Sequence, residues 1–325
     1  MTYIGIDISK KTFEAAFPSS NGFKTHTFDN DPKGIRKFIS LLAAAESHCV
    51  LEATGNYGFL LIYLLDRAGV RVTLLNPRQS KMYAKMQMSV TKTDKADACL
   101  LADYGRRMTP APYTMPSQDI LLLKQKRTTI RLMKKHVHAL QNQRESIEVL
   151  PFKSKECLNA LNKNIRFLEK EIMELEGSLA SSVEKVFERQ LKLLTTIKGI
   201  GVTMAAALII ATGGFTLFEN AKQFSRHIGI CPQIIQSGTS LNIKGPINRN
   251  GDSSIRSQLY ICSWTAMRHN SECKSCYERL RRNGKPKKVA LIAVCNKLIR
   301  QCFAVVNSNT SYIDGFVSSK PLATA

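Results

Sequence analysis

The chain is 325 residues long, 44% hydrophobic and 22% charged, with a formal net charge of +22. An excess of that size calls for a polyanionic partner, nucleic acid or an anionic membrane surface, and the longest apolar run read here, Met204–Thr212, is far too short to span a bilayer. Nine cysteines, an odd count with no basic leader before Tyr3, exclude a fully paired disulfide framework and point to reduced thiols in a cytoplasm.

The charge is graded along the chain, +5 over residues 1–117, +4 over 118–190 and +13 over 191–325, and three domains are expected at those bounds. In the first, Thr2–Ile8 is an apolar run around Gly5 that reads as a buried strand with Asp7 near its end. Lys11–Phe17 and Gly22–Phe28 read as two more strands joined by a hairpin turn at Pro18–Gly22. Asp31-Pro32 opens a helix expected to run to about Ala45. His48–Leu51 is a fourth strand ending at Glu52, Phe59–Ala68 a second helix, and Val70–Leu75 a fifth strand closed by Asn76-Pro77. A polar, Met-containing stretch then leads to a helix from Asp94 to about Arg106, with Thr93 as its N-cap.

The order β-β-β-α-β-α-β-α is that of an α/β ribonuclease H-like domain, an antiparallel meander extended by parallel strands with helical crossovers. That topology sets the first and fourth strands side by side, so Asp7 and Glu52 meet at the sheet's centre. Asp94 and Asp97, three positions apart, share a helix face and can lie over them. Two acids in a first turn also suit a helix dipole with no site at all, and a lone strand-end acid often only bonds a backbone amide. The set of four on one topology is what points to chemistry. Convergent carboxylates cannot all stay ionised without counter-charge, and all-oxygen ligation selects Mg²⁺ or Mn²⁺. Two such ions about 4 Å apart stabilise both the attacking and the leaving oxygen of an in-line phosphoryl displacement.

The segments Tyr3-Ile-Gly-Ile-Asp7, Glu52-Ala-Thr-Gly-Asn-Tyr57, Asn76-Pro77 and Lys92-Thr-Asp94-Lys-Ala-Asp97-Ala98 resemble the DEDD transposases of bacterial insertion sequences. The resemblance runs along essentially the whole chain. It implies a RuvC-like N-terminal domain in which Asp7, Glu52, Asp94 and Asp97 are the metal-binding acids. It also implies a recombinase guided by a structured bridge RNA that pairs with donor and target DNA, working at the bacterial nucleoid.

Over residues 119–149 and 155–190, Leu121, Leu132, Leu140, Ile147, Leu158, Ile165, Leu168, Ile172, Leu175 and Leu179 recur at three- and four-residue steps, with Pro151 between the halves. That is a helical hairpin or coiled coil. The resemblance favours a dimerisation arm, with a homodimer assembling to a homotetramer in the synapse.

The last third is expected to be mainly α. A helix, a Gly199-Ile-Gly201 turn and an Ala-rich helix read as a helix-hairpin-helix beside Lys198. The glycines permit close backbone approach, and amides at the second helix's N-terminus can hold a phosphate without reading sequence. The same pattern also makes a plain corner between helices. Further phosphate contacts are expected from Lys244, Arg249 and Arg256, and from the basic loop of Arg281, Arg282, Lys285, Lys287 and Lys288, ahead of a final helix at Val289–Val306. Trp264 reads as core. His269, Cys273 and Cys276 share a helical face, a metal trio with no fourth ligand evident.

Gln236-Ser237-Gly238-Thr239-Ser240 reads by itself as a polar loop. The resemblance aligns Ser237 with the family's DNA-attacking serine, with Ser240 as second candidate. No His or Asp adjoins it as a base, which fits activation by the carboxylate-held metal of the N-terminal domain, a composite the family builds between subunits. The expected function is therefore RNA-guided, site-specific DNA recombination through a serine–DNA link. The alternative is a hydrolytic RuvC-like resolvase or nuclease using the carboxylates alone. The segment Gly5-Ile-Asp-Ile-Ser-Lys10 also resembles the first strand of actin-like sugar kinases, but no second half with a Gly-rich phosphate loop follows and the charge is left without a use.

Overall fold

Alternation along the first strand divides the N-terminal half into two layers of side chains. The computed structural model describes residues 1–53, 55–88, 93–237, 241–248 and 250–315, and the chain forms two units, Met1–Met115 and Pro116–Ala325.

In the first unit, β1 (Thr2–Ile8), β2 (Thr12–Ser19), β3 (Gly22–Asp29), β4 (Ser47–Glu52) and β5 (Arg71–Leu75) form one sheet in the order β3-β2-β1-β4-β5. The meander β1–β2–β3 is antiparallel, and β4 and β5 add in parallel to β1. This is the order expected of a ribonuclease H-like domain. Helices α1 (Pro32–Ile39), α2 (Phe59–Arg67), α3 (Pro77–Met86) and α4 (Asp94–Met108) complete the unit. Ile4 and Ile6 face one way, into a core with Phe13, Ile35, Phe38, Leu61 and Leu65 from α1 and α2. Gly5 and Asp7 face the other way, toward α4, where Ala16 packs with Ala98 and Ala102, and Val50 with Leu101.

Gly5 is what lets α4 lie flat on β1. A Cβ there would fall inside contact distance of the Ala98 carbonyl oxygen and the Ala102 amide nitrogen, backbone atoms with no room to yield. Gly5→Ala is expected to push α4 away and destabilise this unit by on the order of 3 kcal/mol, at the upper end of overpacking costs. Thermal unfolding checks this. An unchanged melting temperature would mean that α4 does not pack as described.

Three elements of this unit differ from the sequence expectation. Strand β2 runs on through Pro18 and Ser19, which pair with Phe23 and Gly22, so the hairpin turn is narrower than Pro18–Gly22. Helix α1 ends at Ile39 rather than near Ala45, because Ser40 turns its hydroxyl back onto the Lys37 carbonyl at 2.8 Å. The polar stretch after β5 holds a helix, α3, started by Pro77 in its first turn and by a capping box of Asn76 and Gln79.

In the second unit, α5 (Gln118–Glu148) and α6 (Lys155–Thr195) run antiparallel over a seam of Ile130, Val137, Ile165 and Ile172. Lys134–Glu176 at 2.6 Å and Arg144–Asn162 at 3.3 Å bridge them in matching register. Helix α6 kinks at Phe187, whose backbone leaves the helical region. There follow α7 (Val202–Thr212), α8 (Ala221–His227), the antiparallel hairpin β6 (Pro232–Ser237) and β7 (Leu241–Ile247), α9 (Ser253–His269), α10 (Ser271–Arg282) and α11 (Lys287–Ser308). Leu208, Ile209, Leu259, Ala266, Val294 and Leu298 bring α7, α9 and α11 into one core.

Helix α11 corrects the reading of Met204–Thr212 as the longest apolar candidate. With 22 residues and an 18-residue stretch of mean hydropathy 1.7 it is long and apolar enough, by length and composition, to cross a membrane. Its apolar side is spent on the core instead, with Leu291, Val294, Leu298 and Phe303 all buried. The sequence hides this because Lys297 and Arg300 interrupt the run. Trp264 is also corrected. It is half-buried, and the Lys287 ammonium lies 4.5 Å from its ring centre, so it sits at the rim of the core.

Candidate functional site

The register of β1 against β4 pairs Gly5 with Val50 and Ile6 with Leu51, so Asp7 and Glu52 follow one step on, at adjoining strand ends. Both stand two residues beyond positions that meet α4, and so project from that same face. Helix α4 starts above them. Thr93 caps it by accepting from the Ala96 amide at 3.2 Å, and its first turn holds Asp94, exposed, and Asp97, half-buried.

Asp7 reports the convergence. Its carboxyl is pushed up to about 6, first by burial and then by the negative charges of Asp94, Asp97 and Glu52, against the pull of the Ile8 amide. Asp7 at one strand end therefore feels the acid at the neighbouring strand end and the two at the helix start, as the topology requires. Glu52 is further held by Ser80 on α3, whose Oγ donates to Glu52 Oε2 at 2.6 Å. Sequence reading missed Ser80, and its signal was the capping box, which fixes Ser80 one residue into the helix after Gln79. A further acid of α4, Asp103, is not part of this group. It accepts from Tyr83 and pairs with Arg106 and Arg107 at 2.7 and 2.9 Å.

Among the described residues, no three His, Cys, Asp or Glu side chains surround a point closely enough to hold an ion as they stand. That includes His269, Cys273 and Cys276. All nine cysteines are free, and the Cys273 thiol is pushed up to about 12, chiefly by burial. The four converging acids do fit a hard divalent cation by donor chemistry, being carboxylate oxygens throughout.

In the second unit, Ser237 is the last residue of β6, opposite Leu241. Its backbone is described and its side chain is not. Ser240 and Arg249 lie outside the described residues, as do Thr91 and Lys92 ahead of α4. Lys244 occupies a β7 position opposite Ile234. The stretch from α6 to α7 is a helix, a glycine turn and a helix. Gly199 has φ +105°, and a Cβ there would lie 2.8 Å from the Ala266 Cβ, so this glycine serves the turn and the packing of α9. Gly201 stands in open space as the N-cap of α7, with no side-chain cap, beside exposed Lys198.

Arg256 is engaged inside the fold, its guanidinium donating to the Ile228 and Gly251 carbonyls at 2.8 and 3.1 Å. Arg281 donates to the Lys285 carbonyl at 2.6 Å, and Arg282, Lys285, Lys287 and Lys288 are exposed around the corner between α10 and α11.

Residues 4–148 match the DEDD-type transposase model of IS110, described as Transposase, and residues 191–278 match the model described as Transposase IS116/IS110/IS902 family. The chain is 31% identical over 324 residues to the pilin gene-inverting protein of Moraxella bovis, covering 96% of this chain and 97% of that one. It is 27% identical over 151 residues to an uncharacterized 43.6 kDa protein of insertion element IS110 from Streptomyces coelicolor, covering 42% of this chain and 37% of that one. Among solved structures, T. thermophilus RuvC in complex with a Holliday junction substrate is similar at 13% identity, over 35% of this chain and 99% of that one. Its TM-score of 0.27 is too low for the likeness to carry weight.

Proposed function

The chain belongs to the IS110 family of DEDD transposases and is a DNA recombinase, and we propose that it cuts and rejoins DNA through a serine–DNA intermediate directed by a guide RNA. The observation that carries the catalytic half is the Asp7 carboxyl, set beside Glu52 by the strand register and raised by burial and then by the charges of Asp94, Asp97 and Glu52. Those four residues would hold the divalent cations, Mg²⁺ or Mn²⁺ and two of them, which when bound supply positive charge to the oxygens of the reacting phosphate. Ser80 orients Glu52, the role of a residue behind a ligand. Ser237 attacks a DNA phosphodiester. Its Oγ–P bond forms as a P–O bond of the DNA breaks, Oγ gives up its proton, and the departing oxygen takes one up. Attack on the phosphoserine by a new DNA hydroxyl reverses these steps, conserving the ester without ATP.

A rejoining enzyme is favoured over the purely hydrolytic alternative by the Moraxella relative, named for inverting a gene and matched over nearly its whole length, since inversion needs resealed ends. The +13 charge of residues 191–325 supports phosphate contact by Lys198, Gly201, Lys244, Arg249 and the corner of Arg281, Arg282, Lys285, Lys287 and Lys288. Pairing between the RNA and DNA, rather than side chains, reads sequence. The α5–α6 arm joins two copies, and two dimers form the synapse. The test is strand exchange between two duplexes by purified protein. It is expected with Mg²⁺ and RNA transcribed from the element, and lost on adding EDTA or omitting the RNA. Exchange in EDTA would overturn the carboxylate mechanism, and exchange without RNA would overturn the guide.

A further inference from the structure

We propose that Glu14 is a fifth carboxylate of the cation site, a ligand or near-ligand beside Asp7, an inference that rests on reading Asp7, Glu52, Asp94 and Asp97 as cation-binding acids. The β1–β2 register sets Asp7 directly opposite Glu14. Directly opposed residues project from one face, with Cβ atoms about 5 Å apart. That face is the one under α4, because Gly5 and Ala16, the opposed pair two residues back, both meet α4.

On its other side Glu14 opposes Thr27, whose hydroxyl donates to Glu14 Oε1. Glu14 is only 9% exposed, and its second oxygen, Oε2, is shielded from solvent with no hydrogen-bond partner. The ion pairs among the described residues include none to Glu14. Asn30 Oδ1, at the end of the meander, is likewise shielded without a partner, whereas buried His48 is bonded to Thr73, Thr73 to the Ala111 carbonyl, and Ser80 to Glu52.

A buried carboxylate oxygen with no donor is costly. Its nearest ionisable neighbour on the ladder is another acid, which raises that cost. A hard divalent cation at Asp7 removes it, by taking Oε2 directly or through a coordinated water. The carboxylate left unsatisfied in the metal-free fold is thus positioned for the ion the four acids would bind.

The test measures Mn²⁺ binding to the intact chain by calorimetry, and the melting temperature with and without Mn²⁺, for the unaltered protein, Glu14→Gln and Asp7→Asn. Glu14→Gln keeps an oxygen for Thr27 and removes the charge. It is expected to weaken Mn²⁺ binding about tenfold or more, to raise the metal-free melting temperature by a few degrees, and to shrink the rise that Mn²⁺ produces. Glu14→Asp, which keeps the charge on a shorter arm, serves if Glu14→Gln fails to fold, and is expected to bind Mn²⁺ more weakly than the unaltered protein. Loss of binding in Asp7→Asn with unchanged affinity in the Glu14 variants would sink this inference and leave the four-acid site standing. Unchanged affinity in Asp7→Asn would remove the four-acid site, and the role of Glu14 with it.

Discussion

Asp7→Asn will abolish DNA cleavage and strand exchange while leaving the protein folded and, without metal, more stable. The two effects have one cause. Asp7 sits half-buried, and burial together with repulsion from Asp94, Asp97 and Glu52 lifts its carboxyl to about 6. Removing the charge relieves the repulsion in the metal-free fold. It also removes a ligand of the proposed cation site, and such a cation is worth several kcal/mol of charge stabilisation in the transition state. At 1.36 kcal/mol per factor of ten, this predicts a rate lowered by about a thousandfold or more. Single-turnover cleavage of element-end DNA measures the rate, and a thermal melt in chelator measures the stability. A variant that cuts normally would dissociate the acids from the chemistry. A variant that melts lower would mean Asp7 is held by a favourable partner and is not crowded by other acids.

Ser237→Ala will abolish strand exchange and leave Mn²⁺ binding unchanged. Ser237 closes β6 and pairs with Leu241, the first residue of β7, so the serine stands at the end of the paired strands. Losing the nucleophile of a covalent mechanism leaves no weaker version of it, so the expected loss is to background. Ser240→Ala, by contrast, is expected to retain exchange. Full loss in Ser240→Ala and none in Ser237→Ala would move the nucleophile three residues on. Hydrolysis that persists in Ser237→Ala at the unaltered rate, with no exchange in either protein, would favour the nuclease alternative.

Much of the catalytic unit is legible in the sequence because its constraints are local. Ile4 and Ile6 alternate with Gly5 and Asp7, hairpin residues separate the first strands, and each candidate acid stands near the end or start of an element. The order of those elements then dictates which strands adjoin. What escaped reading depends on pairing. Glu14 lies in a segment read as the second strand of the meander, and only the register with β1 and β3 sets it between Asp7 and Thr27. Asn76-Pro77 reads as a stop after β5, though with Gln79 the same residues start α3 and bring Ser80 to Glu52.

The second unit was less legible. The cluster Gln236–Ser240 reads as a polar loop, yet Gln236 and Ser237 belong to a strand paired with Asn242 and Leu241. Gly199 looked like a point of close approach for nucleic acid, and its neighbour is Ala266. In both cases long-range packing overrides the local preference.

The central claim is a metal-assisted serine recombinase, and its most direct test is adduct trapping. The intact protein, with RNA from its element, would be mixed with labelled donor and target DNA in Mg²⁺ and quenched in denaturant. The expected result is a protein–DNA adduct that survives denaturation and is absent in both Ser237→Ala and Asp7→Asn. Cleavage that needs Asp7, yields no adduct and is indifferent to Ser237 would contradict it.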